Sequence, residues 1–391
     1  MSDVDTSVNT KVIHGGIAED KLTGAVSVPI YLATTFRQQE LGVLTGGEKG
    51  YEYGRSGNPT RKALEELIAE LESGSRGFAF ASGLAAITTT LLLFKSGDKI
   101  LISLNVYGGS FRLLDRVFKP FNLQYEFVDT TDIAKVEAAI KEDKNVKGIL
   151  VESPANPLLT ITDLKAIGDL SKKYNLTYIV DSTFMSPYLQ KPLELGADIV
   201  LHSATKYLGG HSDVIAGLVA VKDKEIGERL GYLQNAAGSI LSPFDSWLLI
   251  RGIKTLGVRF DRHNENAEYI AEKLSKHEAV KIVYYPGLKT SPGYEIHKKQ
   301  ARGGGGMISF ILSDKYDFKK FLKNLKLVAL AESLGGVESL ICHPSTMTHA
   351  SIPADIRAKI GITDNLLRLS VGIEDKKDIE KDIETALKGA K

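Results

Sequence analysis

Short apolar runs alternate with amphipathic segments along the chain from Thr60 onward. The apolar runs predict strands at 99–103, 123–128, 147–152, 177–181, 198–202 and 214–222. The helical spacing between them predicts helices at 60–72, 110–119, 132–141 and 163–174. Ser82 is placed to cap a further helix that begins at Gly83. Strands that alternate with helices are typical of crossover connections, so the pattern predicts an α/β protein with a mainly parallel sheet.

The regular alternation of predicted strands and helices ends after a long helical segment at about 243–275. Beyond it, strands near 279–284, 306–312 and 366–372 are mixed with helices near 315–324 and 375–388. A chain of 391 residues exceeds the size at which one hydrophobic core stops growing. The pattern therefore predicts two domains, with the change between them inside the long helical segment, near Leu256.

The first sixty residues show little helical period and many turn-forming residues. Four aromatic residues in this stretch, which argue against disorder, are Tyr31, Phe36, Tyr51 and Tyr53. An arm of this length needs a surface on which to bury those rings. We therefore expect residues 1–60 to pack on a neighbouring subunit.

Charge and composition exclude several classes of function. The chain has 49 basic and 48 acidic residues, so the sequence gives no support for nucleic-acid binding or polybasic membrane attachment. Residues 1–10 are polar, and no stretch approaches the length of a membrane span. The one cysteine, Cys342, rules out an intramolecular disulfide. We expect a cytoplasmic protein whose partner is a small molecule.

Lys206 lies just beyond two hydroxyl residues, Ser203 and Thr205, and Asp181 ends the apolar run 178–180. A lysine can form an imine with an aldehyde whose phosphate nearby hydroxyls hold, and a buried aspartate can pair with a protonated ring nitrogen. Together they suggest pyridoxal phosphate (PLP) chemistry. The alternative is a surface lysine at a loop together with an aspartate in a turn.

Polar residues follow several of the predicted parallel strands. Asp181 ends one strand, Ser203 follows a second, and Asn156 follows strand 147–152. Because open α/β sheets bind ligands at the carboxyl ends of their strands, we expect these side chains to converge. The helix start at Ser82 and Gly83 suits a phosphate, although an ordinary helix cap explains Ser82 equally well.

Arg368 and Tyr107 are further candidates for binding. Arg368 lies inside the apolar run 366–371, where a buried arginine needs an anionic partner. That partner is either a substrate carboxylate or an internal acidic residue. Tyr107 stands beside glycines and is either a ring that stacks on a ligand or a half-buried loop residue.

No metal site is expected. The best grouping of possible ligands consists of His202, His211 and Asp213. Their spacing matches none of the helical histidine pairs that zinc enzymes use. The chain also lacks a phosphate-binding loop ending in Gly-Lys-Ser/Thr, and no dinucleotide fingerprint follows a first strand.

Five motifs together resemble the PLP-dependent enzymes of cysteine and methionine metabolism. They stand at 53–60, 81–84, 181–184, 202–207 and 331–336, in the order found in that family. The resemblance covers essentially the whole chain. It implies PLP-dependent transferase fold type I (aspartate-aminotransferase-like), with a mainly parallel seven-stranded sheet and a smaller α/β C-terminal domain. The implied divisions are an arm at 1–60, a PLP-binding domain at 61–256 and a C-terminal domain at 257–391.

The resemblance also implies roles for single residues. Lys206 would form the Schiff base and move protons, Asp181 would keep the ring nitrogen protonated, and Tyr107 would stack on the ring. The phosphate would be held by Ser82, Gly83, Leu84, Ser203 and Thr205. The substrate carboxylate would be bound by Arg368, Ser339 and Asn156.

The arm would complete the site of a neighbouring subunit. By resemblance, Tyr53 would assist proton transfer there and Arg55 would meet the phosphate. The catalytic unit would then be a dimer, within a homotetramer.

Two glutamates, Glu52 and Glu338, bear on the choice of substrate. Family members that handle cystathionine resemble this chain in having acidic residues at these places, and carboxylates suit the distal ammonium of cystathionine. Gly109 stands where methionine γ-lyases have a cysteine, so the resemblance does not favour a methionine γ-lyase. We expect a cystathionine lyase that cleaves on the γ side, with β-cleavage as a side activity. The alternatives are cystathionine γ-synthase, O-acylhomoserine sulfhydrylase and a non-catalytic PLP-binding regulator.

Overall fold

The computed structural model describes residues 6–16, 20, 22–47, 50–350, 357 and 360–391. Parts of the predicted arm, 1–5, 17–19, 21 and 48–49, lie outside the described residues, and so do 351–356 and 358–359. No described helix is both long and apolar enough to cross a membrane.

The strands and helices are numbered in chain order. The strands are β1 Gln38–Glu40, β2 Val43–Leu44, β3 Arg76–Phe80, β4 Lys99–Ser103, β5 Gln124–Val128, β6 Val146–Glu152, β7 Thr177–Asp181, β8 Ile199–Ser203, β9 Gly217–Val221, β10 Val280–Tyr284, β11 Met307–Leu312, β12 Ala329–Leu330, β13 Leu340–Cys342 and β14 Leu366–Ser370. The α-helices are α1 Val8–His14, α2 Pro59–Leu71, α3 Gly83–Leu91, α4 Gly108–Leu113, α5 Ile133–Glu142, α6 Leu164–Tyr174, α7 Ser186–Leu189, α8 Lys224–Ala237, α9 Pro243–Ile253, α10 Leu256–Ser275, α11 Tyr294–Gln300, α12 Phe318–Asn324 and α13 Lys376–Lys388.

Seven strands form the large sheet, in the order β3-β9-β8-β7-β6-β4-β5. The five strands from β8 to β5 are parallel to one another, and β9 is antiparallel to both of its neighbours. The predicted mainly parallel, seven-stranded sheet is therefore confirmed. In register, Asp181 at the end of β7 lies beside Glu152 of β6 and beside Leu201 of β8. This register sets the last residues of β6 and β7 side by side, and β8 ends two residues beyond Leu201, at Ser203.

A second sheet of five strands follows, in the order β10-β11-β14-β13-β12. Its own core lies between the sheet and helices α10, α12 and α13, and includes Phe310 and Phe321, whose ring centres are 6.3 Å apart. This part is the predicted smaller α/β unit. Arg368 lies at the middle of β14, between Ser309 of β11 and Cys342 of β13. The boundaries at 60 and 256 stay predictions.

The structure contains elements that the sequence pattern did not predict. Helix α1 buries only Val8 and Val12, so seven residues give too little repetition for a helical period to show. Strand β3 contains Gly77, which is a poor strand former. Glycine is needed there because a Cβ atom would lie 2.1 Å from the backbone oxygen of Glu65 in α2. Helix α8 was also absent from the prediction.

The long helical segment at 243–275 is two helices, α9 and α10, rather than one. Arg259, in the first turn of α10, binds across the junction of the two helices. Its Nη1 donates to the backbone oxygen of Tyr207 and its Nη2 donates to the backbone oxygen of Gly252, each at 2.8 Å. The backbone oxygen of Gly252, near the end of α9, thus accepts a hydrogen bond from a side chain of α10. A Cβ atom at Gly210 would lie 2.1 Å from Nη1 of Arg259, so the turn after Lys206 packs directly on this guanidinium.

The predicted helix at 110–119 also differs in detail. It consists of α4, a π-helical turn at Leu114–Phe118 and a 3-10 turn at Lys119–Phe121. Pro120 lacks the N–H that would continue an α-helix, and the left-handed residue Asn122 ends the segment.

Arg61 fastens the end of the arm to helix α2. Its buried guanidinium donates to the backbone oxygens of Gly54 at 2.8 Å and Arg55 at 3.0 Å, and it lies 3.4 Å from the carboxylate of Glu65. We expect Arg61→Ala to lower the free energy of unfolding by about 3–5 kcal/mol, because it leaves a buried carboxylate and two carbonyls without their cation. Denaturant titration measures this loss as a lower unfolding midpoint.

The neighbouring Lys62 provides the matched control. It pairs with Glu66 at 3.6 Å on the exposed side of the same helix, at the same spacing as Arg61 and Glu65. Lys62→Ala should change the free energy of unfolding by less than about 1 kcal/mol. Equal effects of the two substitutions would show that the buried contacts of Arg61 do not fasten the arm.

Candidate active site

The carboxyl ends of β6, β7 and β8 open into a cavity of about 300 Å³, which β14 of the second sheet also lines. Ten of the residues selected from the sequence line this cavity together. They are Ser82, Gly83, Leu84, Tyr107, Asn156, Asp181, Ser203, Thr205, Lys206 and Arg368. The predicted convergence of strand ends on one edge is what the structure shows.

The three selected residues of the arm lie away from this cavity. The Tyr53 side chain is 44% exposed, and the guanidinium carbon of Arg55 lies 5.4 Å from the centre of its ring. Arg55 also donates through Nε to Asn235 at 3.2 Å. Glu52 is exposed and accepts a hydrogen bond from Ser56 at 3.3 Å. Within one chain, these residues do not reach the site.

Ser339 and Glu338 also lie outside the cavity lining. The Ser339 hydroxyl donates to Glu374 at 2.9 Å and accepts from the backbone N–H of Gly372 at 2.9 Å, so its bonds hold the chain after β14. Glu338 accepts a hydrogen bond from the hydroxyl of Ser212. The roles assigned to both residues from the sequence stay predictions.

Lys206 directs its amine into the cavity. Nζ donates to the hydroxyl of Ser333 at 2.8 Å. Burial lowers the pKa of Lys206 from 10.5 to about 8, and the positive charge of Arg368 adds to this effect, while Glu332 opposes it. A lysine with this pKa is partly unprotonated near neutral pH, which is the form that attacks a carbonyl.

The lowered pKa of Lys206 predicts how the cofactor-free protein should combine with PLP. Only the unprotonated amine attacks an aldehyde, so the rate should rise with pH and reach half of its maximum at about pH 8. Stopped-flow recording of the visible absorbance band measures this rate. Nα-acetyl-lysine with the same PLP solution serves as the control, with a midpoint near 10.5 as for an ordinary lysine. A midpoint near 10.5 in the protein would contradict the lowered pKa.

Asp181 is held in place by its neighbour Thr183. One carboxylate oxygen accepts from the Thr183 N–H at 3.0 Å and from the Thr183 hydroxyl at 2.5 Å. The same hydroxyl accepts the N–H of Ser203 at 2.8 Å, so the ends of β7 and β8 are joined. Burial raises the pKa of Asp181, while the bonds from Thr183 oppose that rise. No hydrogen bond among the described residues includes the other carboxylate oxygen, so it is available to a partner in the cavity.

Helix α3 begins at the cavity wall. The side chain of Ser82 caps it by accepting from the N–H of Ala85 at 3.0 Å. Gly83 packs so closely on Ser203 that a Cβ atom would lie 3.0 Å from the serine Cβ. A Cβ atom at Gly217 would lie 2.2 Å from the backbone oxygen of Ser82. The free N–H groups of this first turn form a cradle of the kind that binds phosphate.

Tyr107 is half-exposed and lies over Gly109. A Cβ atom at Gly109 would lie 2.3 Å from the tyrosine ring. The backbone N–H of Tyr107 donates to Oε2 of Glu152 at 3.0 Å. The ring is therefore at the cavity wall, fastened through its backbone and free on one face to stack on a flat ligand.

Arg368 is buried in β14, and no ion pair between described residues includes it. Nη1 donates to Oδ1 of Asn156 at 2.8 Å, and Nη2 donates to the backbone oxygen of Ser333 at 3.3 Å. Nε has no hydrogen-bond partner among the described residues. The internal salt bridge considered from the sequence is therefore not what Arg368 forms within the described chain. A buried cation of this kind is suited to binding a carboxylate.

Four of the cavity residues that were not selected from the sequence are Glu152, Thr183, Glu332 and Ser333. Glu332 and Ser333 lie inside the motif at 331–336, but the carboxylate and hydroxyl roles were assigned to Glu338 and Ser339, six residues later. Thr183 lies two residues after Asp181, in the motif at 181–184. Glu152 ends the predicted strand before Asn156, and its acidic side chain at a strand end, like that of Asp181, is the signal that could have found it.

The residues present fit PLP. Lys206 offers an amine of lowered pKa, Asp181 offers a free carboxylate oxygen, and the start of α3 offers N–H groups for a phosphate. Tyr107 offers an aromatic face. These groups surround a single cavity, and the fold around it is of type I. The fold and the site together define a PLP-dependent enzyme.

The chain belongs to the Cys/Met metabolism PLP-dependent enzyme family, whose model matches residues 9–388. It is 56% identical over 382 residues to a cystathionine β-lyase of Lactococcus lactis subsp. cremoris (98% of this chain, 99% of the relative). It is 48% identical over 384 residues to a cystathionine γ-synthase of Mycobacterium leprae (98% and 97%).

A solved structure is also highly similar. The cystathionine γ-lyase of Lactobacillus plantarum, complexed with L-serine, matches with a TM-score of 0.95 and 53% identity, covering 98% of this chain and 99% of that one. The family resemblance and PLP as cofactor are confirmed. The similarity to lyases supports a carbon–sulfur lyase.

Proposed function

We propose that this protein is a PLP-dependent cystathionine lyase that cleaves on the γ side and releases cysteine, 2-oxobutanoate and ammonia. The observation that carries the proposal is that one cavity holds a cation, an amine of lowered pKa and an acidic residue around Ser333. Arg368 donates to the Ser333 backbone oxygen, Lys206 donates to the Ser333 hydroxyl, and Glu332 is the residue before Ser333. A substrate with a carboxylate beside its reacting carbon and a second ammonium finds a partner for each group there.

Each residue then has a separate task. When bound, PLP supplies an electron sink for the negative charge that develops on the substrate's Cα. Arg368 and Asn156 bind the substrate carboxylate and fix the direction of the Cα–H bond. Lys206 removes the Cα proton and then a Cβ proton, which a γ-elimination requires and a β-elimination does not. Ser333 accepts a hydrogen bond from Nζ and so directs the amine toward these carbons.

Asp181 and the wall of the cavity support that chemistry. The carboxylate of Asp181, fixed by Thr183, stabilises positive charge on a ring nitrogen. The start of α3 and the hydroxyls of Ser203 and Thr205 hold the phosphate, and the Tyr107 ring covers one face of the cofactor. The amino-acid substrate enters through the opening that remains.

We also propose that the arm acts in a neighbouring copy, within a homotetramer built from two catalytic dimers. Support comes from the exposure of apolar residues before Pro59: Leu22 is 87% exposed, Leu32 69% and Leu41 101%. Tyr53 and Arg55 lie outside the cavity of their own chain but next to each other. Arg61 of α2 binds the backbone oxygens of Gly54 and Arg55, so the segment that carries Tyr53 and Arg55 is held in a defined position.

Incubation of the PLP-bound protein with L-cystathionine tests the function directly. Release of 2-oxobutanoate and cysteine is expected, and mass spectrometry identifies the keto acid. Pyruvate and homocysteine as the main products would make the protein a β-lyase. If neither pair forms, but O-succinyl- or O-acetylhomoserine and cysteine yield cystathionine, the synthase alternative replaces the lyase.

Glu332 should set the preference for cystathionine, because its carboxylate lies in the cavity where the distal ammonium is expected. We expect Glu332→Gln to raise the KM for cystathionine roughly tenfold, as one charge-assisted hydrogen bond is lost. The KM for O-acetylhomoserine, which lacks a distal ammonium, should change little. Steady-state kinetics with both compounds measures the split.

Glu338→Gln is the matched comparison, since Glu338 lies six residues later, outside the cavity lining. It should leave both KM values near those of the parent protein. The opposite result, with a raised KM for cystathionine in Glu338→Gln alone, would return the specificity role to the residue predicted from the sequence.

A further inference from the structure

Glu152, the last residue of β6, is a buried carboxyl at the centre of the site. Its side chain is 6% exposed and lines the cavity. Oε1 accepts the backbone N–H of Asn156 at 2.9 Å, and Oε2 accepts the backbone N–H of Tyr107 at 3.0 Å. Each oxygen thus binds a different segment of chain, one after β6 and one after β4.

These two segments carry different parts of the proposed site. Tyr107 presents the ring that covers the cofactor. Asn156 accepts a hydrogen bond from Nη1 of Arg368 at 2.8 Å. These two residues form the pair proposed to bind the substrate carboxylate, called the Asn156–Arg368 clamp below. A shift of the Glu152 side chain would move the stacking ring and the clamp together.

A side chain that only had to accept one backbone N–H would not need to be a carboxyl in this position. Glu152 lies in register with Asp181 on the adjacent strand, and two neighbouring buried carboxylates repel each other. Burial and the Asp181 carboxylate both raise the pKa of Glu152, while the two N–H groups and Arg368 oppose the rise. A buried acid beside another acid is costly, and a glutamine side chain fits the same space without that cost. The second acceptor oxygen is what the acid adds.

We propose that Glu152 is a positioning residue that sets the stacking ring of Tyr107 and the Asn156–Arg368 clamp relative to each other. It touches neither substrate nor the reacting atoms and acts through the two backbone N–H groups. The inference rests on the proposed function for the identity of the clamp's ligand. The position of Tyr107 over the cofactor is tested without any substrate.

The test uses the Glu152→Gln variant, which keeps the shape and one acceptor oxygen but sets an NH₂ group against one of the two N–H groups. We expect the dissociation constant of PLP, from titration of the cofactor-free protein, to rise roughly tenfold, as for the loss of one buried hydrogen bond. The visible circular dichroism of the bound PLP should fall in amplitude. The KM for cystathionine should rise by a similar factor, with a smaller change in kcat.

Asp198→Asn is the matched control. Asp198 is another partly buried carboxyl that accepts a backbone N–H, from Tyr178 at 2.8 Å, and burial likewise raises its pKa, but it lies at the amino end of β8, outside the cavity lining. It should lower the melting temperature of the cofactor-free protein at least as much as Glu152→Gln does. Its PLP affinity, dichroism and KM should stay as in the parent protein.

Three results would overturn the role of Glu152. They are parent-like dichroism and PLP affinity in Glu152→Gln, an equal loss of both in Asp198→Asn, and a uniform fall in stability with no change at the cofactor. If Glu152→Gln fails to fold, Glu152→Asp replaces it, because aspartate keeps the carboxyl group but is too short to reach both N–H groups. Parent-like values in that variant would likewise overturn the role. A parent protein that turns over no cystathionine would instead refute the proposed function and leave the PLP measurements valid.

Discussion

Lys206→Ala should abolish the visible absorbance band that forms when PLP is added and should lower kcat for cystathionine at least about 10³-fold. The physical reason is that one amine performs two tasks. It bonds to the cofactor's aldehyde, and it carries the protons that a γ-elimination moves. Burial and the positive charge of Arg368 lower the pKa of Lys206 to about 8 and so favour the unprotonated form, and the hydrogen bond to Ser333 directs the amine. Absorbance after PLP addition and a keto-acid assay measure the two effects separately.

The control for this variant is Lys289→Ala, which removes an exposed lysine from the second part of the chain. It should keep both the band and the activity. A Lys206→Ala protein that still forms the band would show that another amine bonds to PLP, and the assignment of the whole site would then be wrong. Retained dichroism in the far ultraviolet excludes misfolding as the cause of a loss.

Asp181→Asn should reduce kcat roughly 10²–10³-fold while leaving the protein able to form the visible band. A carboxylate stabilises a protonated ring nitrogen, and an amide does not, so the capacity to take up negative charge from Cα falls. The surrounding bonds favour this interpretation, because Thr183 supplies both an N–H and a hydroxyl to one oxygen and leaves the other for the ring. Asparagine keeps the size and the acceptor for Thr183.

Asp198→Asn provides a comparison at the opposite end of the sheet. Asp198 accepts the N–H of Tyr178 at 2.8 Å, so it too binds a backbone group of β7, but it lies at the amino end of β8. Its replacement should affect stability and leave kcat unchanged. Equal losses of kcat in the two variants would mean that Asp181 acts through the sheet and not on the ring.

The strand ends of the large sheet were predictable because each apolar run has the length of a strand and ends at a polar residue. The apolar runs before Asp181 and Ser203 are buried on both faces, as central parallel strands are, and each ends at a polar residue. Parallel strands bring those ends to one edge without further information. The family motifs added the chemistry of Lys206, which the pattern alone left open.

The positions missed from the sequence depend on contacts between distant segments. Gly77 weakens the pattern of β3, yet it is required by the approach of α2. Glu332 and Ser333 were passed over for Glu338 and Ser339 because both pairs are acid followed by serine, and only the path of the chain after β12 distinguishes them. The partners of Glu152 come from the ends of two strands, which spacing along the chain does not reveal.

Arg259 holds the turn after Lys206 from outside the cavity by binding the carbonyl of Tyr207 and that of Gly252. Gly209 and Gly210 donate their N–H groups within the same turn, to Ala204 and Lys206. The turn therefore opens only when the junction of α9 and α10 opens with it. In hydrogen–deuterium exchange, the amides of these two glycines should exchange slowly and as part of that larger unit, with or without PLP. We therefore expect Lys206 to keep its position in the cofactor-free protein, with the geometry needed to bind PLP again.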